Sequence, residues 1–188
     1  MEFKNVRKNY QGEYITYYSL EYETKGGKSK IYEMISRDRN IKDFDDLHKN
    51  SPDAVIMILN DVTGEKILLN CEYRMAVGEW VYNFPAGLID KGESVSQAAE
   101  RELREETGLK LTKIKDIWNE SYSAVGFSNE KGTVVVGTAE GEIAESDSEM
   151  EEITALWYTK EEVRSLLSEK KFAARTQAYC SIWSSNNE

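Results

Sequence analysis

The chain has 188 residues, with 34 acidic against 24 basic side chains and a formal net charge of −10. That balance excludes nucleic acid and anionic membrane as main partners, since both are held by a cationic footprint, and it makes a cation necessary for any anionic substrate. The length suits one globular unit with a sizeable core.

Two strand-like runs come first, Tyr14 to Glu23 and Lys30 to Ser36, joined through Lys25-Gly26-Gly27-Lys28, a hairpin turn signal. Residues 1–36 are therefore expected as an N-terminal antiparallel hairpin and residues 37–188 as the main domain. After the polar segment Arg37 to Ser51, the apolar runs Ala54 to Leu59 and Lys66 to Asn70 flank the turn Asp61-Val62-Thr63-Gly64 and read as central strands. Trp80 to Phe84 is a further strand leading into Pro85-Ala86-Gly87, and a helix is predicted over Val95 to Thr107. Strands follow at Lys113 to Trp118, Thr133 to Ala139 and Ile153 to Tyr158. Thr159 with Glu162 makes a capping box that opens the C-terminal helices. Strands interspersed with helices in this order predict an α/β sandwich.

No apolar run approaches transmembrane length, and the start MEFKNVRKNYQGEY lacks the apolar segment of a secretion signal, so a cytoplasmic location is expected. Cys71 and Cys180 form no CxxC pair and read as two reduced thiols. The sole histidine, His48, sits in the polar stretch RDRNIKDFDDLHKNS, which argues against a histidine-dependent triad.

The predicted helix carries the chemistry. On a 3.6-residue wheel, Val95, Ala98, Ala99 and Leu103 form one apolar arc, and Glu102 and Glu106 fall inside it. Carboxylates on a core-facing stripe are costly to desolvate unless something positive meets them, and the i,i+4 spacing aims both at one spot, where a divalent cation would fit. Glu105 lies at the edge of the arc with Arg101 one turn before it, an ion-pair spacing that holds a third carboxylate in place. Ser94 with Gln97 forms a capping box, and Gly108 suits a left-handed C-terminal cap, so the element is bounded at both ends.

From Gly87 the chain reads GLIDKGESVSQAAERELREETGL: Gly87, five residues, Glu93, seven residues, then Arg101 to Leu109. Position for position this resembles the signature of the Nudix hydrolases, a pattern that chance produces about once in a billion starting points. The resemblance implies a Nudix α/β/α sandwich, here with an N-terminal β-hairpin extension, and hydrolysis of a nucleoside diphosphate linked to another group. The segments Glu72-Tyr73-Arg74, Val77-Gly78, Trp80 and Phe84-Pro85-Ala86-Gly87-Leu88-Ile89-Asp90 are similar to the ADP-ribose pyrophosphatase branch. That implies conversion of ADP-ribose to AMP and ribose 5-phosphate, with GDP-mannose or another nucleoside diphosphate sugar as the alternative. A non-catalytic ligand sensor of the same fold is the third reading, against which the full set of signature glutamates speaks.

Glu102 and Glu106 are expected as principal metal ligands, with Glu105, Glu93 and, by resemblance, the backbone carbonyl of Ala86 as further ones. Oxygen donors with open water sites select hard cations, so Mg²⁺ is expected and Mn²⁺ is a substitute. The resemblance places Arg74 as a phosphate-contacting arginine, whose fork suits a diphosphate. It places Tyr32, Glu33 and Arg37 in the base-binding segment, with tyrosine where tryptophan is usual. In Ser123 to Glu130, Val125 replaces the proline of a Ser-Pro-Gly loop, while Gly126, Phe127 and Glu130 still fit, so the loop is expected to persist. The general base is expected from the acidic loop Glu142 to Glu152, Glu151 first and Glu149 second, with Glu105 and Arg101 completing the catalytic set. A homodimer is implied as well, in which the hairpin completes the substrate pocket of a partner subunit.

Overall fold

The computed structural model describes residues 1–48, 51–146 and 151–185. In chain order the strands of the first half are β1 (Glu2–Gln11), β2 (Thr16–Glu23), β3 (Ser29–Ser36), β4 (Ala54–Asn60), β5 (Lys66–Arg74), β6 (Glu79–Asn83) and β7 (Ala86–Leu88). Helix α1 (Val95–Thr107) follows, then β8 (Lys110–Ile117), β9 (Ser121–Tyr122), β10 (Lys131–Glu140), β11 (Ile153–Thr159), α2 (Lys160–Glu169) and α3 (Ala174–Ser185). The chain divides into two compact units, one of Met1–Asp53 with Glu120–Gly132, the other of Ala54–Asn119 with Thr133–Glu188.

The first unit is built on an antiparallel three-stranded sheet in the order β1-β2-β3. The turn between β2 and β3 is closed by Gly27, at φ 75°, whose amide donates to the Thr24 carbonyl at 2.9 Å. β1 adds a strand to the expected hairpin. Its sequence EFKNVRKNYQ is polar at both parities, and two register shifts against β2 break what alternation there is. Tyr18, Leu20 and Met34 from the sheet, with Ile41, make a small core flanked by Phe3, Val6, Tyr22 and Leu47. The Tyr18 hydroxyl is satisfied within it, donating to the Asp38 carbonyl at 2.8 Å.

The second unit is an α/β/α sandwich around a sheet ordered β11-β5-β4-β10-β8, with β6 on β5 and β7 on β4. β4 shows why two layers cover it. Its side chains alternate between faces, so Val55, Met57 and Leu59 pack with Ala98, Ala99 and Leu103 of α1, while Ile56 and Ile58 join Val163 of α2 and Cys180 of α3. β5 divides in the same way, Leu68 going to the α1 side and Ile67 and Leu69 to the other. The capping box of Ser94 and Gln97 is formed, Gly108 caps α1 at φ 73°, and the Thr159 and Glu162 box opens α2. Among the described residues no helix is long and apolar enough to cross a membrane. Cys71 and Cys180 are both free thiols.

Candidate active site

The site in the second unit is assembled by α1 because the apolar residues that seat the helix leave its carboxylates no other direction. Ala98, Ala99 and Leu103 are fully buried, and Glu106, one turn beyond Glu102, is itself only 8% exposed. Arg101 is the hub. Its guanidinium grips Glu93 in bidentate fashion, Nε to Oε1 at 3.0 Å and Nη2 to Oε2 at 2.9 Å. Nη1 reaches Glu102 at 2.7 Å and Glu105 at 3.3 Å, and Nη2 also donates to the Leu88 carbonyl at 2.9 Å. The helix-spaced pair with Glu105 is thus present but is the longest of these contacts. One guanidinium gathers three of the four signature glutamates, and its own proton is held far more firmly than usual by Glu93.

Gly87 of β7 shows how tightly the backbone is drawn over this cluster. A Cβ placed there would lie 1.9 Å from Glu102 Cδ and 2.2 Å from each carboxylate oxygen, so any side chain there would displace the carboxylate. Ala86 precedes it and pairs with Ile56 of β4, which fixes the strand that bears its carbonyl beside the helix.

Glu106 is the one signature carboxylate that Arg101 does not touch. Its hydrogen-bond partner is the Asn70 amide, Nδ2 to Oε2 at 2.8 Å. Burial pushes its carboxyl up to about 8, a rise that the Asn70 donor opposes and that the neighbouring charges of Glu102, Glu72 and Glu151 reinforce. Glu102 is raised too, by burial first, with Arg101 pulling the other way. Glu93, by contrast, is lowered by its bond to Arg101.

Among the described residues no three acidic, histidine or cysteine side chains stand in a ready metal-binding arrangement, Glu93, Glu102 and Glu105 being drawn to Arg101. The donor set nonetheless fits a hard divalent cation. All its side-chain donors are oxygens, and among the described residues Glu106 is buried with no cationic partner and the Oδ1 atom of Asn70 beside it is buried with no hydrogen-bond partner.

Next to the carboxylates lies a cleft of about 330 Å³ whose walls include Glu72, Arg74, Glu151 and Glu152. The structure therefore brings Arg74 and Glu151 to one cavity, and the charge of Glu151 is felt by both Glu102 and Glu106. Arg74 is half exposed and held lightly, its Nη1 donating to Glu72 Oε2 at 3.2 Å. Glu149 lies outside the described residues. Asn70 and Glu72 were not anticipated as site residues. The signal for them is parity: on β5 they share the face of Leu68, which packs with α1.

In the first unit, Tyr32, Arg37 and the loop after β9 come together. The Tyr32 hydroxyl donates to the Gly126 carbonyl, and Arg37 Nε donates to Glu130 Oε2 at 2.6 Å. The Phe127 carbonyl accepts from the Ile35 amide at 2.8 Å, so the loop is tied to β3 along its length. Without its proline the turn is closed by two backbone bonds to the Ala124 carbonyl, from Phe127 at 3.0 Å and Ser128 at 2.9 Å. Tyr32 opens on a cavity of about 440 Å³ lined largely by aromatic and aliphatic side chains, among them Tyr22, Phe44, Tyr122 and Phe127. Glu33 is not brought there. Adjacent residues in a strand face opposite ways, and its carboxylate instead accepts from the Tyr17 hydroxyl.

Comparison with known proteins adds four likenesses. A model of the NUDIX domain family matches residues 50–179, well over half of the chain. An uncharacterized Nudix hydrolase of Schizosaccharomyces pombe is 28% identical over 130 residues, 69% of this chain and 60% of that protein. The ADP compounds hydrolase NudE of Escherichia coli is 27% identical over 143 residues, 76% of this chain and 69% of that one. A crystal structure of ADP compounds hydrolase superposes with a TM-score of 0.74 at 22% identity, over 97% of this chain and 92% of that chain, which establishes the fold.

Proposed function

The chain belongs to the NUDIX domain family, and from that premise we propose that it is a metal-dependent hydrolase of nucleoside diphosphate sugars. The observation that carries this is the pairing of Glu102 and Glu106 on one face of α1, the first held by Arg101 under Gly87 and the second buried with no cationic partner among the described residues. Glu102 and Glu106 would hold a divalent ion, Mg²⁺ in preference and Mn²⁺ as substitute, with Glu105, Glu93 and the Ala86 carbonyl as further donors. Such an ion, when bound, supplies neutralisation of the diphosphate charge.

The chain's own residues would do the rest. Arg74, exposed at the wall of the cleft, would bind phosphate oxygens through its fork. Arg101 gathers Glu93 and Glu102 at one place beside the helix, which keeps these donors together for an ion. Glu151, across the same cleft, would take the proton of an attacking water as its oxygen bonds to phosphorus and the bridging P–O bond breaks, the leaving phosphate keeping the electron pair.

For the substrate we propose ADP-ribose, cleaved to AMP and ribose 5-phosphate. Support comes from the wording of Phe84 to Asp90 and from the first unit's aromatic cavity, where Tyr32 could stack on a base, with Gly126, Phe127, Arg37 and Glu130 as its tied loop. Glu33 is turned to Tyr17 and is left out of this set. A cytoplasmic homodimer is part of the same proposal, the two free thiols favouring a reducing compartment.

The test is a screen of nucleoside diphosphate sugars in Mg²⁺, reading released monophosphate for the wild type and for Glu151→Gln. ADP-ribose is expected to exceed GDP-mannose in kcat/KM, and the variant to keep Mn²⁺ binding while losing turnover. Preference for the guanine sugar or another member of the screen would move the substrate to the alternative, and hydrolysis of none of them would leave a ligand sensor.

A further inference from the structure

The face that β5 turns toward α1 carries Leu68, Asn70 and Glu72 in alternation. Leu68 belongs to the apolar core, and Asn70, just beyond it, is 2% exposed. A leucine or isoleucine is the ordinary occupant of such a position, as its neighbours Ile67 and Leu69 show on the opposite face. Among the described residues the asparagine is only half satisfied: its Nδ2 donates to Glu106 Oε2 at 2.8 Å, while its Oδ1 is buried with no hydrogen-bond partner. Burying an amide in that state is unfavourable unless the empty half meets a donor in the working protein.

The chemistry of the amide suits a place beside a metal ligand. A lysine or arginine here would neutralise Glu106 and repel an incoming cation. A second carboxylate would add to the repulsion that Glu102, Glu72 and Glu151 already impose on it. A neutral amide does neither. It commits Oε2 of Glu106 to a fixed direction and leaves Oε1 for an ion, and its own Oδ1 offers an acceptor to a water in that ion's shell.

We propose that Asn70 is a positioning residue of the metal site, fixing Glu106 through its Nδ2 and receiving a hydrogen bond from the ion's water shell at its Oδ1. This rests on the reading of Glu106 as a metal ligand. It extends the site from the signature helix to a strand that the signature does not include.

The experiment measures Mn²⁺ affinity of the full chain, by electron paramagnetic resonance of free Mn²⁺, for wild type, Asn70→Leu, Asn70→Ala and Glu106→Gln. Cooperative melting in EDTA is checked for each. Both Asn70 variants should bind Mn²⁺ roughly tenfold to a hundredfold more weakly, the loss typical of removing a group that orients a ligand. In turnover, the metal concentration for half-saturation should rise by a similar factor while the substrate KM at saturating metal stays put. Wild-type affinity in both variants overturns the proposal. So does a loss confined to Asn70→Leu, which would mark a steric effect of the larger side chain. Wild-type Mn²⁺ binding in Glu106→Gln overturns it by a separate route, because the ligand reading of Glu106 then fails whatever Asn70 does.

Discussion

Replacing Gly87 by alanine probes the site through one methyl group. The new Cβ would stand 1.9 Å from Glu102 Cδ, and its backbone is not among the positive-φ glycines, so alanine brings no conformational strain. What must yield is the far end of a flexible side chain, which spares the fold. Restoring ordinary van der Waals separation moves the carboxyl group by roughly 1.5 Å. Such a move breaks the 2.7 Å bond from Arg101 to Glu102 or drags the guanidinium away from Glu93. Misplacement of a reacting constellation by about 1 Å costs on the order of a hundredfold in rate, or about 2.7 kcal/mol of barrier. Gly87→Ala should therefore lose about a hundredfold in kcat/KM at saturating Mg²⁺, with a thermal transition close to that of the wild type. The assay couples released monophosphate to a colorimetric phosphate readout, alongside a melting curve. A variant within threefold of wild type would refute the argument that the glycine exists to admit the Glu102 carboxylate.

Two further outcomes are expected. Because burial pushes the Glu106 carboxyl up to about 8 from an ordinary 4.5, the folded protein holds a proton that the unfolded chain releases. Without metal its stability therefore declines as pH rises through that window. Glu106→Gln lacks this decline, so in EDTA it should melt above the wild type at pH 9 and converge with it near pH 4, and a lower midpoint at pH 9 would contradict the assigned burial cost. Deleting the residues before Arg37 removes all three strands of the first unit's sheet and should abolish both dimerisation and binding of ADP-ribose. Light scattering with parallel kinetics decides this, and a monomeric intact protein or an unchanged KM in the truncation would remove the shared-pocket proposal.

What could be read from the sequence was whatever is encoded within a few residues. The bounds of α1 follow from Ser94, Gln97 and Gly108, each of which acts on its own turn of helix, and the structure keeps those bounds. The β4 run AVIMIL announces a central strand, and the structure buries it on both faces. β1 was not legible, because its residues are mostly exposed and its pairing comes from β2 rather than from any apolar rhythm of its own. Asn70 escaped for a different reason: parity sets it on the face of Leu68, but its partner Glu106 is 36 residues away and the strand does not say what that face meets. Glu33 differs again. Strand parity alone separates it from Tyr32, and the resemblance to the base-binding segment had set the two side by side.

The clasp of Tyr32 on Gly126 and of Arg37 on Glu130 closes spans of 94 and 93 residues, so the form of that loop is written as much in the N-terminal strands as in its own letters. The signature helix, in the other unit, contributes no residue to the clasp. Inheritance can then act on the two separately. Under the proposed base-binding role, changes in β3 and its loop would alter which molecule is chosen while the carboxylates stay untouched, and a lineage would acquire new substrates without passing through an inactive ancestor.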